Sequence, residues 1–122
     1  MDTSVSDIMI ALGQHSYMFS HEVELQRAVG LALEGAGIPF EREVRLSERD
    51  RIDFLVPPSI GIEVKIDGSI SALVRQLFRY ASKARGDITV LVVVVGKLTL
   101  GNLPAEIEGV PIHVFRAVRA FG

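Results

Sequence analysis

The sequence predicts an α/β domain, and three patterns carry that expectation. Over residues 20–37, Leu25, Ala28, Val29, Ala32, Leu33 and Ala36 recur at helical spacing between a Ser20 cap and a Gly37 stop. Residues 40–67 hold three short β-rich runs separated by turn residues. Residues 88–95 are an apolar run, interrupted only by Thr89, with the length of a central strand. That run is too short to cross a bilayer as a helix.

Taken in order, residues 1–19 read as an N-terminal extension in which residues 5–12 suit a short helix capped by Ser4 or Ser6. A break at Gly13, Gln14, His15 and Ser16 follows. In the next helix Glu22 shares a face with Leu25 and Val29, whereas Glu24 lies nearer the opposite face. Strands are expected at about 40–46, 51–56 and 60–67. The turns at Ser47-Glu48-Arg49-Asp50 and Pro57-Pro58-Ser59 make them an antiparallel meander. Asp67-Gly68-Ser69 leads into a helix over residues 71–84 that ends near Gly86, and Gly61 and Gly68 read as turn markers. The run 88–95 then makes a strand buried on both faces, and 110–114 a last strand that continues into Phe115 and Arg116. With no linker or repeat, residues 20–122 form one domain.

The chain has 122 residues, 48% of them hydrophobic, and neither cysteine nor tryptophan. Disulfides, zinc-thiolate sites and thiol catalysis are excluded, and a reducing cytoplasm suits the composition. The N-terminus carries Asp2 and Asp7 and no basic residue before its first apolar patch, so a secretory signal is not expected, nor a membrane partner. The net charge of −2 argues against a generic nucleic-acid coat. It is unevenly spread: residues 1–62 hold five basic and ten acidic side chains (5 − 10 = −5), residues 63–122 eight and five (8 − 5 = +3).

The chemistry-bearing pattern is Asp53, then Glu63-Val64-Lys65 on the following strand. A period of two puts Glu63, Lys65 and Asp67 on one side of that strand and Ile62, Val64 and Ile66 on the other. Phosphodiester hydrolysis needs an activated water, positive charge against the phosphoryl oxygens and help for the departing oxygen. Carboxylate oxygens are hard ligands suited to Mg²⁺ or Mn²⁺, so Asp53 and Glu63 on adjacent strands suit one such ion, with the Ile62 or Val64 carbonyl as a further ligand. Lys65 would orient the water or oppose transition-state charge.

Arg51-Ile52-Asp53-Phe54, Ile62-Glu63-Val64-Lys65 and the helix ALVRQLFRY at 72–80 resemble the PD-(D/E)XK nuclease superfamily, particularly its small resolvase-like and repair-nuclease members. The resemblance covers about residues 20–95. It implies a restriction-endonuclease-like αβββαβ core with a mixed central sheet and flanking helices. It also implies a Mg²⁺- or Mn²⁺-dependent endonuclease acting on double-stranded or branched DNA in repair or recombination. By the same resemblance Asp53, Glu63, Lys65 and Gln76 are catalytic, and Glu22, Asp53, Glu63 and the Val64 carbonyl hold the metal. Arg75, Arg79 and Lys83, with Arg85, would meet phosphate. Arg51-Ile52-Asp53 stands where the family has Pro-Asp, and Gln26 lies nearer than Glu22 to the acid position of some resolvase-like helices.

Each residue also has a structural alternative. Glu63 and Lys65 suit an ion pair, Asp53 a turn cap or a partner for Arg51, and Glu22 a solvated first-turn acid favourable to the helix dipole. Phe78 and Tyr80 read as packing groups, and His15, His21 and His113 form no zinc motif. The competing function is a catalytically inactive nuclease-fold subunit that binds DNA or joins an assembly. Partners expected beside DNA are a second copy of the chain, through residues 5–12 or 118–121, and a helicase or recombination assembly.

Overall fold

Side chains that bond to the main chain set where the helices begin. In the computed structural model, which describes residues 3–83, 88–96 and 103–117 with the Lys83 side chain outside that set, α1 spans Val5–Gly13. The Ser4 hydroxyl accepts from the Asp7 N–H at 3.1 Å, and the Asp7 carboxylate accepts from the Ser4 N–H at 3.0 Å. Ile8, Ala11 and Leu12 are buried in the chain's own core, so little of the patch expected at the surface is free; Ile10 is exposed. The second helix, α2 (Glu22–Gly35), starts after His21 and not after the expected Ser20. The reason is Glu24, whose Oε1 accepts from the N–H groups of both Ser20 and His21, at 2.7 and 3.0 Å. Its far end closes as foreseen at Gly37, whose φ of +72° lets Ile38 N–H reach the Leu33 carbonyl at 2.9 Å.

Among the described residues six strands follow: β1 (Glu41–Arg45), β2 (Arg51–Val56), β3 (Ile60–Lys65), β4 (Val90–Val95), β5 (Glu106–Ile107) and β6 (Val110–Arg116). They make one mixed sheet in the order β1-β2-β3-β4-β6-β5. The first three are the expected antiparallel meander. Between β3 and β4 runs α3 (Ile70–Lys83), capped by Ser69, whose hydroxyl accepts from the Ala72 N–H at 3.1 Å. That crossover makes β3 and β4 parallel, and β4 is parallel to β6 in turn. The short β5, which periodicity did not signal, pairs antiparallel with β6. The expected helix end at 84–86, together with Arg85 and residues 118–121, lies outside the described residues.

Helices cover both faces of the sheet. Phe54, Ile62, Val64, Val92 and Val94 pack with Leu25, Val29 and Leu33 of α2 and Ile8 and Leu12 of α1. On the other face Leu91, Val93, Val95 and Ile112 pack with Leu73, Leu77 and Tyr80 of α3. Strand β4 is therefore buried on both sides, which is why its sequence is apolar throughout. Gly61 belongs to β3 and not to a turn: a Cβ there would run into Ile52 Cδ1 and come within 3.2 Å of Ile88 and Leu91. No described helix is long and apolar enough to cross a membrane.

Candidate active site

Asp53 sits where the sheet opens. The β1–β2 register pairs Arg42 with Phe54 and Val44 with Ile52 but omits Glu43 opposite Asp53, and Glu43 has a φ of 50°. The β2–β3 register likewise stops at Phe54 with Ile62, one residue short of Asp53 opposite Glu63. Asp53 is thus missing from both ladders. The chain also turns over there: Ile52 packs in the α3-side cluster and Phe54 in the α1–α2 cluster, although strict alternation would put them on one face.

Side chains satisfy the main chain in this gap. Asp53 N–H donates to Glu63 Oε1 at 3.3 Å, and Val64 N–H donates to Asp53 Oδ2 at 2.8 Å. This reciprocal clasp ties each carboxylate to the other strand's main chain, Asp53 half-buried and Glu63 only 3% exposed. Burial, and then the facing Asp53 charge, push the Glu63 carboxyl up to about 8. Asp53 is also raised, chiefly by burial; the Val64 N–H opposes the rise, and the charge of Glu22 adds to it.

Lys65, half-buried at the end of β3, opens onto a cleft of about 320 Å³ shared with Asp67, Arg75, Gln76 and Arg79. Gln76 lies on the sheet-facing stripe of α3, in line with Leu73, Leu77 and Tyr80. Its Nε2 donates to the Tyr80 hydroxyl at 2.9 Å, and that hydroxyl donates to the Arg51 carbonyl at 3.0 Å. Gln76 Oε1 is buried without a hydrogen-bond partner among the described residues. Tyr80 is therefore more than the packing group expected of it: burial and then Glu63 raise its hydroxyl pKa. Its spacing of four from Gln76 was the available signal. Phe78, also expected to pack, is 47% exposed.

Glu22, half-buried at the start of α2, approaches Asp53 closely enough for its charge to be felt. Gln26 accepts from Arg42 at 3.5 Å, and the Arg42 guanidinium lies 4.6 Å from the centre of the Phe54 ring. Arg75 is exposed at the cleft. Arg79 has a task that sequence spacing did not assign: its Nε donates at 2.9 Å to Asp50, a carboxylate left 4% exposed. Among the described residues no group of three or more His, Cys, Asp or Glu side chains is gathered for a metal. The donors present still fit a hard divalent cation. Each clasp carboxylate has lone-pair capacity beyond one main-chain bond, and a cation beside the pair would offset the burial and the Asp53 charge that hold the proton on Glu63. No family model, curated protein or solved structure matches the chain.

Proposed function

We propose that this protein is a Mg²⁺- or Mn²⁺-dependent DNA endonuclease with a restriction-endonuclease-like core of the PD-(D/E)XK type, acting on double-stranded or branched DNA. The observation that carries the proposal is the Asp53–Glu63 clasp, a half-buried and a buried carboxylate on adjacent strands, each bonded to the other strand's main chain in a gap of the sheet beside Lys65 and a cationic cleft. Asp53, Glu63 and the Val64 carbonyl would hold the ion, with Glu22 as a further acid. Bound there, the ion supplies Lewis acidity and a water of lowered pKa. Lys65 sets positive charge where the phosphoryl oxygens gain negative charge, and Arg75 holds the adjoining phosphate through directed hydrogen bonds. Gln76, tied to Tyr80, offers its unpartnered Oε1 to a donor such as the attacking water.

A second reading has its own observation. Each clasp carboxylate already bonds a main-chain N–H, so the pair also serves to close the gap between β2 and β3. A DNA-binding or assembly subunit that kept the fold and lost cleavage would retain those bonds. Cleavage of linear, nicked, flap and four-way DNA with Mg²⁺ or Mn²⁺ separates the two. Asp53→Asn and Glu63→Gln should abolish cleavage in a folded protein, and Lys65→Ala should slow it on the order of 10²-fold. Full activity in all three variants would sink the enzyme assignment; a wild type that binds every substrate and cuts none would favour the second reading.

A further inference from the structure

The cleft at Lys65 ends at Gln76 and Arg79, and beyond those two side chains a second cleft of about 480 Å³ begins. Its outer wall is the β1–β2 turn, which contributes Arg49, with Arg45 at the end of β1 and Arg51 at the start of β2, all exposed. The turn is held in shape from within. The Ser47 hydroxyl accepts from the N–H groups of Arg49 and Asp50 at 3.3 and 3.1 Å, and the Asp50 carbonyl accepts from Leu46 N–H at 2.8 Å. Buried Asp50 ties the turn to α3 through Arg79, and Arg45 donates to the Glu48 carbonyl at 2.9 Å. Arg49 has no carboxylate within 4.0 Å among the described residues. Among the described residues Arg51 meets one carboxylate, the exposed Glu43 at 3.6 Å, a pair of the kind worth little in water.

Six cations, Arg45, Arg49, Arg51, Lys65, Arg75 and Arg79, therefore line two clefts that meet at Gln76. Glu48, Asp67 and the buried Asp50 line the same clefts, so cations outnumber carboxylates six to three there, a local positive excess in a chain with a net charge of −2. We propose that the β1–β2 turn is a second phosphate-binding element, so that a polynucleotide backbone crosses the site with phosphates on both sides of Gln76. This rests on the nuclease reading and deepens it: the strand enters by one cleft and leaves by the other, as an internal phosphodiester requires. A preformed turn loses little freedom on gripping phosphate, and guanidinium groups match phosphate oxygens in pairs.

The test is binding of a labelled 20-base-pair duplex, in Ca²⁺ so that cutting is suppressed, over a potassium chloride series. Arg49→Ala/Arg51→Ala should weaken binding about tenfold at low salt and flatten the slope of log affinity against log salt by about two. Arg49→Glu should weaken it further, and Arg27→Ala, on the exposed side of α2, should leave both quantities unchanged. Circular dichroism establishes that each variant is folded. Unchanged affinity and slope in both turn variants would overturn the inference while leaving the nuclease reading intact. Loss of cleavage in the clasp variants tests that reading separately.

Discussion

Glu63 and Asp50 are the acidic side chains buried among the described residues, and Glu63 is the one whose ionisation burial displaces. Its carboxyl ionises near 4.5 in an unfolded chain and at about 8 in the folded one, because burial and Asp53 both disfavour its charge. Between those values the folded state holds a proton that the unfolded state has lost. The resulting stability is complete below pH 4.5 and disappears as pH rises through about 8. Without divalent ions, unfolding free energy should fall across that window by up to about 1.4 kcal/mol per pH unit. Glu63→Gln should remove this component; urea midpoints in EDTA that track wild type at every pH would contradict the assignment. Arg79 makes a second residue-scale case. The resemblance implied a phosphate ligand, yet its Nε serves a buried carboxylate. Arg79→Ala should cost about 1–3 kcal/mol by leaving Asp50 with Ser47 as its side-chain partner, whereas Arg75→Ala should stay within about 0.5 kcal/mol. Equal melting temperatures for the two variants would refute the distinction.

Strand β3 carries the consequence of close packing at the scale of an element. Five of its six residues are buried, and Gly61 admits the side chain of Ile52 from β2. Gly61→Ala should destabilise the protein by about 1–3 kcal/mol, since Ile52, Ile88 and Leu91 must all give way, and chemical denaturation measures it. A neutral or stabilising outcome would mean that Ile52 moves freely. The neighbouring β2 shows where periodicity stops being informative. Val56, Phe54 and the residues of β3 alternate as the sequence suggests, but Ile52 crosses to the other cluster because the chain leaves both ladders at Asp53. The same departure frees the Asp53 N–H for Glu63, so the irregularity of β2 creates the clasp.

For the whole molecule the decisive measurement is linkage to divalent ions. On the proposed function, a cation held by Asp53 and Glu63 would compete with the Glu63 proton, so Mg²⁺ or Mn²⁺ should raise the melting temperature of wild type, and more so as pH approaches 8. At a hundredfold excess over Kd the stabilisation should reach about 2.7 kcal/mol. Thermal scans of Asp53→Asn and Glu63→Gln should show little of it; an equal shift in those variants would place the ion elsewhere.

The patterns of residues and turns determined much of this protein by themselves. Alternation and helical spacing depend on neighbours along the chain, so α2, the meander, the crossover helix and the doubly buried β4 were legible. Even β6 was found with its extension to Arg116. Other features depend on contacts between distant segments. Tyr80 joins Gln76 to the Arg51 carbonyl, Arg79 bonds Asp50, and Gly61 makes room for Ile52 only once α3 and the first three strands have come together. The reversal at Asp53 is of that kind too. Hydrogen bonding decides it, because two main-chain N–H groups that leave the ladder find their acceptors on carboxylates of neighbouring strands, which no periodicity along one strand records.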